Sequence, residues 1–408
     1  MINIYTQKNI NKRFLSLCSL CLVITCLGLL PGCQPKKRSA DKTPNYSRPL
    51  PAGKLALRKI TNPLEIPDFT AGCFDLSNLS TAIGHSLNYL QKRSSRQYYP
   101  YGNITHEKVV ASLTTFDVLL KQNLSPSELN KQIREVFDIY TSVGYNDKGS
   151  VLFTGYYTPI FAGTKTPTAQ FRYPLFKKPD NLIKNEHGKI LGLQNRDGTF
   201  YQCPERRAIS STGLLNGLEI IWLSDPFEVY IAHVQGSAKI RLPDGELITV
   251  GYTANNGHPY RSITTDMIRD GVIDKAHLSL SSLIKYFKTN PKRVDSYVNR
   301  NPRFVFFDIQ NSAPHGSINA PVTPLRTIAT DKNIYPRAAL AFHSVALPVP
   351  YGSTYRKQIQ KSFVLDQDTG GAIRAPGRCD IYIGQGDLAG DRAGKTFEEG
   401  RLYYLFLK

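Results

Sequence analysis

Near the C-terminus, Val364-Leu365-Asp366-Gln367-Asp368-Thr369-Gly370-Gly371 and Arg378-Cys379-Asp380-Ile381-Tyr382-Ile383 bring three carboxylates into one short stretch of chain. Carboxylates become chemically useful when their surroundings separate their pKa values, so that one keeps a proton at neutral pH while its neighbour stays charged. A pair of them flanking a sugar linkage is the usual equipment for breaking it. The apolar runs at 363–365 and 381–383, bounded by Gly and Pro, predict two strands joined by a glycine-rich connection. Asp368 then ends one strand and Asp380 starts the next. Side-chain alternation puts Asp380 and Tyr382 on one face and Cys379, Ile381 and Ile383 on the other, turning the Cys379 thiol away from the carboxylates. The plainer reading of Asp366 and Asp368 is that they cap turns beside glycines, as Asp often does.

Other chemistries find less support. The eight histidines are scattered, with no His-Glu-x-x-His and no Cys-x-x-Cys, so neither a metal nor a cofactor is expected. Gly384-Gln385-Gly386-Asp387-Leu388-Ala389-Gly390 misses the dinucleotide fingerprint, and no Gly-x-Ser-x-Gly elbow is present. Asp368-Thr369-Gly370 also reads as an aspartic-protease tripeptide, but such enzymes need two aspartates sharing a proton and the chain carries the tripeptide once. The 23 tyrosines, clustered at Tyr156-Tyr157, Tyr252 and Tyr260, offer flat apolar faces with a hydroxyl, which suits sugar rings and equally suits ordinary strands.

The elements that must position these groups follow from patterning. With 408 residues, two domains are expected. Lys8, Lys12 and Arg13 precede an uncharged apolar stretch over 14–30, so residues 1–32 read as an export signal. Leu30-Pro31-Gly32-Cys33 resembles the bacterial lipobox, with Pro31 at an unusual place, and predicts a lipid on Cys33; Gln34 points to an outer membrane. Residues 33–58, rich in Pro, Ser and Lys, read as a tether, with order starting near Ile60. Cys73, Cys203 and Cys379 remain in the exported part, enough for at most one disulfide. A net charge of +19 favours an anionic polymer. An exported lipoprotein does not meet nucleic acid, whereas a cell wall presents peptides with free carboxylates.

Leu79, Ile83, Leu87 and Leu90, and again Val109, Leu113, Phe116 and Leu120, recur at helical spacing. A third helix starts at Ser125, with Pro126, a Glu128 capping box and Leu124 placed to staple Leu129; its buried face is read as Leu129, Ile133, Val136 and Tyr140. From Val151 the pattern turns β-rich. Short β-rich segments are read at 153–159, 171–176, 218–223, 229–237 and 304–307, with a hairpin around Pro243-Asp244-Gly245, helical patterns between 263 and 298 and strand-rich chain over 325–347 and 363–408.

Thr154-Gly155-Tyr156-Tyr157-Thr158-Pro159, Phe171-Arg172-Tyr173-Pro174-Leu175, Gln235-Gly236-Ser237, Asn256-Gly257-His258-Pro259-Tyr260, Asn301-Pro302-Arg303-Phe304-Val305-Phe306-Phe307, Arg326-Thr327-Ile328-Ala329-Thr330-Asp331 and the stretch from Asp368 to Gly384, in this order, resemble the membrane-bound lytic murein transglycosylase A family. The resemblance covers residues 151–408 and departs modestly at Ala238 and Thr327. It implies a mainly β fold with α (α+β), in which a double-psi β-barrel formed by residues 59–159 and 310–408 carries a smaller β-rich substrate-binding domain inserted at 160–309, with a groove between them.

The family aspartates fall on Asp331, Asp368 and Asp380. Asp380 matches the single catalytic acid, and Asp368 the carboxylate that supports it. On this view Asp368 stays ionised and raises the Asp380 pKa by like-charge repulsion. Thr154, Tyr157, Gln235, Ser237, Tyr260 and Asp331 are assigned to sugar binding. The implied reaction cuts the β-1,4 bond between N-acetylmuramic acid and N-acetylglucosamine without water and leaves a 1,6-anhydro ring. A hydrolytic muramidase and a catalytically idle wall-binding lipoprotein remain as alternatives. The implied partners are peptidoglycan glycan strands, the membrane through the N-terminal lipid, and proteins of wall synthesis or hydrolysis.

Overall fold

The computed structural model describes residues 44–408 apart from 186–188, 275–279, 311–312 and 353. The export segment and Cys33 lie outside the described residues, and among the described residues no helix is long and apolar enough to cross a membrane. The tether expected over 33–58 gives way to packed chain well before Ile60. The Tyr46 hydroxyl donates to Glu399 at 2.8 Å, its ring meets Tyr145 edge-on at 4.9 Å, and Ala56 is fully buried. Composition reads this stretch as solvated, but a few apolar anchors are enough to dock it.

β1 (Leu57–Lys59) precedes three helices, α1 (Leu79–Leu90), α2 (His106–Leu120) and α3 (Pro126–Val136). The α3 start is the expected capping box: the Glu128 N–H donates to the Ser125 hydroxyl at 3.3 Å, and the Ser125 N–H donates to the Glu128 carboxylate at 3.0 Å. Its end differs. The helix stops at Val136, and Tyr140, read as part of its buried face, lies in β2 (Phe137–Ser142), where an extended backbone begins at Phe137. The alternating β-prone residues from Phe137 onward override the helical spacing. The apolar faces of the helices join one core with the barrel strands, with Phe69 stacked over Phe363 and Phe116 tilted against it.

β3 (Val151–Thr158) is followed by a long excursion. It contains β4 (Ile160–Thr164), β5 (Tyr173–Phe176), β6 (Leu182–Lys184), β7 (Ile190–Gln194), β8 (Phe200–Tyr201), α4 (Arg206–Thr212), β9 (Glu219–Leu223) and α5 (Pro226–Gln235). β10 (Ser237–Arg241), β11 (Leu247–Asn255), α6 (Ile263–Arg269), α7 (Leu280–Thr289), α8 (Val294–Val298) and β12 (Val305–Gln310) complete it. Its strands form a six-stranded sheet, β12-β11-β10-β4-β9-β5, and a three-stranded one, β6-β7-β8. One segment read as a strand, 229–235, is the helix α5. Its signals are at the ends: Asp225 accepts from the Phe227 N–H at 2.7 Å, Pro226 opens the helix, and Gly236 at φ +77° closes it. The β-branched and aromatic residues between these caps mimic a strand.

The chain then returns through β13 (Thr327–Ala329), β14 (Leu340–Tyr351), β15 (Thr354–Asp368), β16 (Arg378–Gln385), α9 (Gly386–Gly394) and β17 (Phe397–Leu407). Strands β17-β14-β15-β13-β16-β3 lie in that order, and β3 pairs back onto β17, so six strands close into a barrel. β13 runs parallel to β15, and β16 parallel to β3. The class is the expected one, mixed α+β with a double-psi barrel and a smaller β-rich insert. Replacing the α3 cap, Ser125→Ala, is expected to lower stability by about 1 kcal/mol, read as a lower denaturation midpoint with an unchanged slope in urea.

Candidate active site at the barrel end

The strand order decides how the carboxylates meet. β15 and β16 do not pair with each other; the three-residue β13 lies between them, and Ala329 faces Asp368 on one side and Asp380 on the other. The two backbones therefore stand two strand spacings apart, roughly 10 Å, with room for the carboxylates to turn toward a common space. A bulge aims Asp368. The register passes from Ile328 opposite Asp366 to Ala329 opposite Asp368, leaving Gln367 as the extra residue. In a regular strand Asp366 and Asp368 would share a face and the same surroundings; the bulge separates them.

Asp366 is fully buried, ion-paired with Lys332 and accepting hydrogen bonds from Thr330 and Tyr404 at 2.7 Å each. It is part of the core. Asp368, partly exposed, accepts from the Tyr156 hydroxyl at 2.8 Å, the Ser317 N–H at 2.8 Å and the Thr369 N–H at 2.7 Å. Burial pushes its carboxyl above the usual range, while those three donors and the Lys332 charge pull the other way. Asp380, also partly exposed, accepts from the Thr154 hydroxyl of the neighbouring β3, its register partner. Burial pushes the Asp380 carboxyl up to about 6; the Arg378 guanidinium lowers it, and the Asp368 charge adds a smaller upward push. Desolvation is thus the main cause of the shift, and like-charge repulsion, expected to dominate, is secondary.

The face reading of β16 holds. Cys379, Ile381 and Ile383 enter the barrel core, and burial drives the Cys379 thiol well above its usual range, far from a nucleophile's. Tyr382 instead reaches the Thr158 hydroxyl at 2.9 Å and tilts against the Tyr156 ring at 5.2 Å. Cys73, Cys203 and Cys379 are all unpaired.

Sequence reasoning passed over two residues of this site. Tyr156 holds Asp368. Arg378 donates from Nη2 to the Thr154 hydroxyl at 3.4 Å, and its Nε is buried without a hydrogen-bond partner. The signal was available, because Arg378, Asp380 and Tyr382 share one face of β16, as Thr154, Tyr156 and Thr158 do on β3. On β3 a close backbone approach also matters: a Cβ on Gly155 would lie 2.8 Å from Ala393 Cα, so glycine lets α9 pack directly on the strand.

The residues assigned to sugar binding are distributed unevenly. Thr154 lies on Asp380. Tyr157 alternates away from the carboxylates and is buried at 5% exposure, under α9 and in contact with Gly390. The Gln235 side-chain oxygen accepts the Tyr157 N–H at 3.1 Å, and Ser237, also buried, meets the Thr158 hydroxyl at 3.4 Å, so both tie the insert to β3. Tyr260 stays partly exposed and sits on the connection between the carboxylates, where a Cβ on Gly371 would be 3.2 Å from it. Asp331 spends its oxygens on the chain: it accepts the N–H groups of Asn333 and Ala375 at 3.2 and 3.1 Å and pairs with Arg374 at 3.6 Å. Its place is that of a loop clamp.

Residues 152–308 match the family model described as the MltA specific insert domain, and residues 326–406 match the one described as the 3D domain. The chain belongs to the membrane-bound lytic murein transglycosylase A family. Over 271 residues it is 29% identical to membrane-bound lytic murein transglycosylase A of Escherichia coli strain K12, covering 66% of this chain and 69% of that protein. Its fold is similar to a membrane-bound lytic murein transglycosylase from Agrobacterium tumefaciens, at a TM-score of 0.72 and 24% identity, over 86% of this chain and 98% of the other. It is likewise similar to E. coli MltA with bound chitohexaose, at a TM-score of 0.64 and 24% identity, over 86% and 94% of the two chains. Asp331, Asp368 and Asp380 fall within the 3D match, and Thr154, Tyr157, Gln235, Ser237 and Tyr260 within the insert match.

The raised Asp380 pKa has a stability consequence with a definite sign. The folded chain holds this proton more tightly than the unfolded one, whose Asp titrates near about 3.9, so the group's contribution is present below about 4 and lost as pH rises through about 6. Asp380→Asn is therefore expected to be more stable than the parent by about 1–3 kcal/mol at pH 8 and no more stable at pH 3, as read from urea unfolding at the two pH values.

Proposed function

We propose that the chain is an exported, membrane-associated lytic transglycosylase that cuts the β-1,4 bond between N-acetylmuramic acid and N-acetylglucosamine in peptidoglycan and leaves a 1,6-anhydromuramyl end. The observation that carries this reading is the unlike treatment of two neighbouring carboxylates, Asp380 raised to about 6 with one hydroxyl donor and Asp368 held by three donors. The names of the curated relatives support the same activity and the membrane association, and the chitohexaose bound in the E. coli structure supports a glycan strand as substrate. The lipobox-like Cys33 supports anchoring through lipid, and Gln34 after it supports an outer membrane.

In this mechanism Asp380 enters protonated and donates to the leaving glycosidic oxygen as the bond to the anomeric carbon breaks. The same carboxylate, now charged, takes the proton of the muramyl C6 hydroxyl as that oxygen attacks C1. No second carboxylate has to activate water, as it would in a hydrolase. Asp368, whose three donors favour its charged form against burial, steadies the positive charge that develops on the sugar. Thr154 and Arg378 hold the Asp380 carboxylate in place while it is charged, and Tyr260 offers the strand a ring and a hydroxyl at the edge of the site.

Digestion of purified peptidoglycan by the exported chain, followed by mass analysis, is expected to release muropeptides one water lighter than hydrolytic products. Asp380→Asn should lose at least about a hundredfold in kcat/KM, and the parent's kcat/KM should fall about tenfold per pH unit above the Asp380 pKa. Reducing-end products at full mass would make the enzyme a hydrolase. Full activity in Asp368→Asn would remove the electrostatic role of that residue.

A further inference from the structure

Away from the carboxylates, the insert encloses a cavity of about 520 Å³ between β5, α4, α5 and α8. Its walls combine Phe176, Leu215, Val229 and Phe304 with polar groups that include Arg206, Asn216, Asn299 and, on α8, the exposed Asp295 carboxylate. Volume and lining are those of a small-ligand site. Arg206 is the unusual member, a cation 4% exposed. It donates from Nε to the Asn301 carbonyl at 3.2 Å and from Nη2 to the Arg303 carbonyl at 2.6 Å and to His233 Nδ1 at 3.0 Å. Its guanidinium lies about equally over the Tyr230 and Phe304 rings, at 5.1 and 5.2 Å.

Among the described residues, no carboxylate forms an ion pair with Arg206. Burial pulls its pKa down to about 10, which still leaves it charged at neutral pH. Buried charges are ordinarily paired, since carbonyls and rings offset only part of the lost hydration. The bonds to the chain engage Nε and Nη2, so Nη1 is the donor left for the cavity. Close by, His233 accepts at Nδ1 and so carries its proton on Nε2, which is buried without a partner. Arg207, exposed at the rim of the same cavity, adds a second positive charge at its mouth.

We propose that this cavity is a receptor for the free carboxylate of a peptidoglycan stem peptide, gripped by Arg206 with the peptide's small apolar groups against Phe176, Leu215 and Val229. The assignment rests on the peptidoglycan reading above and adds to it a recognition of the peptide, separate from the glycan. It also has a route to the reacting groups. Tyr230, in the cavity wall, neighbours Tyr260, and Tyr260 lies on Gly371 in the connection between Asp368 and Asp380.

The test is calorimetric titration of the full exported chain with a stem tripeptide bearing free carboxylates and with the same tripeptide fully amidated. Binding at least tenfold tighter for the carboxylate form is expected, with Ser210→Trp at the cavity rim abolishing the difference at an unchanged melting temperature. Equal binding of both forms, no binding of either, or equal competition by acetate would overturn the proposal. Cleavage of peptide-free glycan by the same preparation keeps the two readings apart. Cleavage without peptide binding would remove the receptor and leave the enzyme; peptide binding without cleavage of any glycan would do the reverse.

Discussion

A carboxylate with a single hydroxyl donor and protein on most sides is poorly solvated when charged, and the chemistry available at this barrel end depends on that one constraint at Asp380. Thr154 reaches it because β3 is the parallel neighbour of β16, with the two residues in register. On its other edge β3 pairs with β17, which closes the barrel around the same strand.

Three acidic residues of similar local sequence reach three different states. Asp366 is neutralised by Lys332 inside the core, Asp368 is held by three donors at the surface of a bulge, and Asp380 has one donor and little solvent. None of the differences is encoded in the residue type. They follow from which face each side chain takes, and for Asp368 the face is set by one extra residue in β15. The same network also steadies the scaffold, since Thr330 donates its hydroxyl to the Asp366 carboxylate and its N–H to the Asp368 backbone carbonyl, tying the core pair to the end of β15.

The insert and barrel are held together by residues that resemble ligand-binding ones. The amide oxygen of Gln235 is taken by the Tyr157 N–H, and Ser237 by Thr158. Both insert residues follow from the turn from α5 into β10 at Gly236, whose positive φ directs the chain back toward β3. Their work is to fix the insert against the strand that carries Thr154 and Tyr156. Tyr260 and Arg303 then reach the glycine-rich connection, where a Cβ on Gly371 would press on both, at 3.2 and 3.4 Å.

Much of this protein is legible in its residues alone. Helical spacing marks α1 and α2, a capping box marks the start of α3, and alternation along β16 separates Asp380 and Tyr382 from Cys379, Ile381 and Ile383, because these are interactions between near neighbours in the chain. Ordered motifs locate the carboxylates and the family. Tertiary structure decided the rest. That Asp366 is core and Asp368 is not requires the β13–β15 bulge; that Tyr157 is buried requires α9 above it; and that 229–235 is helical depends on end caps outweighing the strand propensity of the residues between them. The raised pKa of Asp380 depends on burial, which sums contributions from strands distant in sequence, and no local pattern of residues reports that sum.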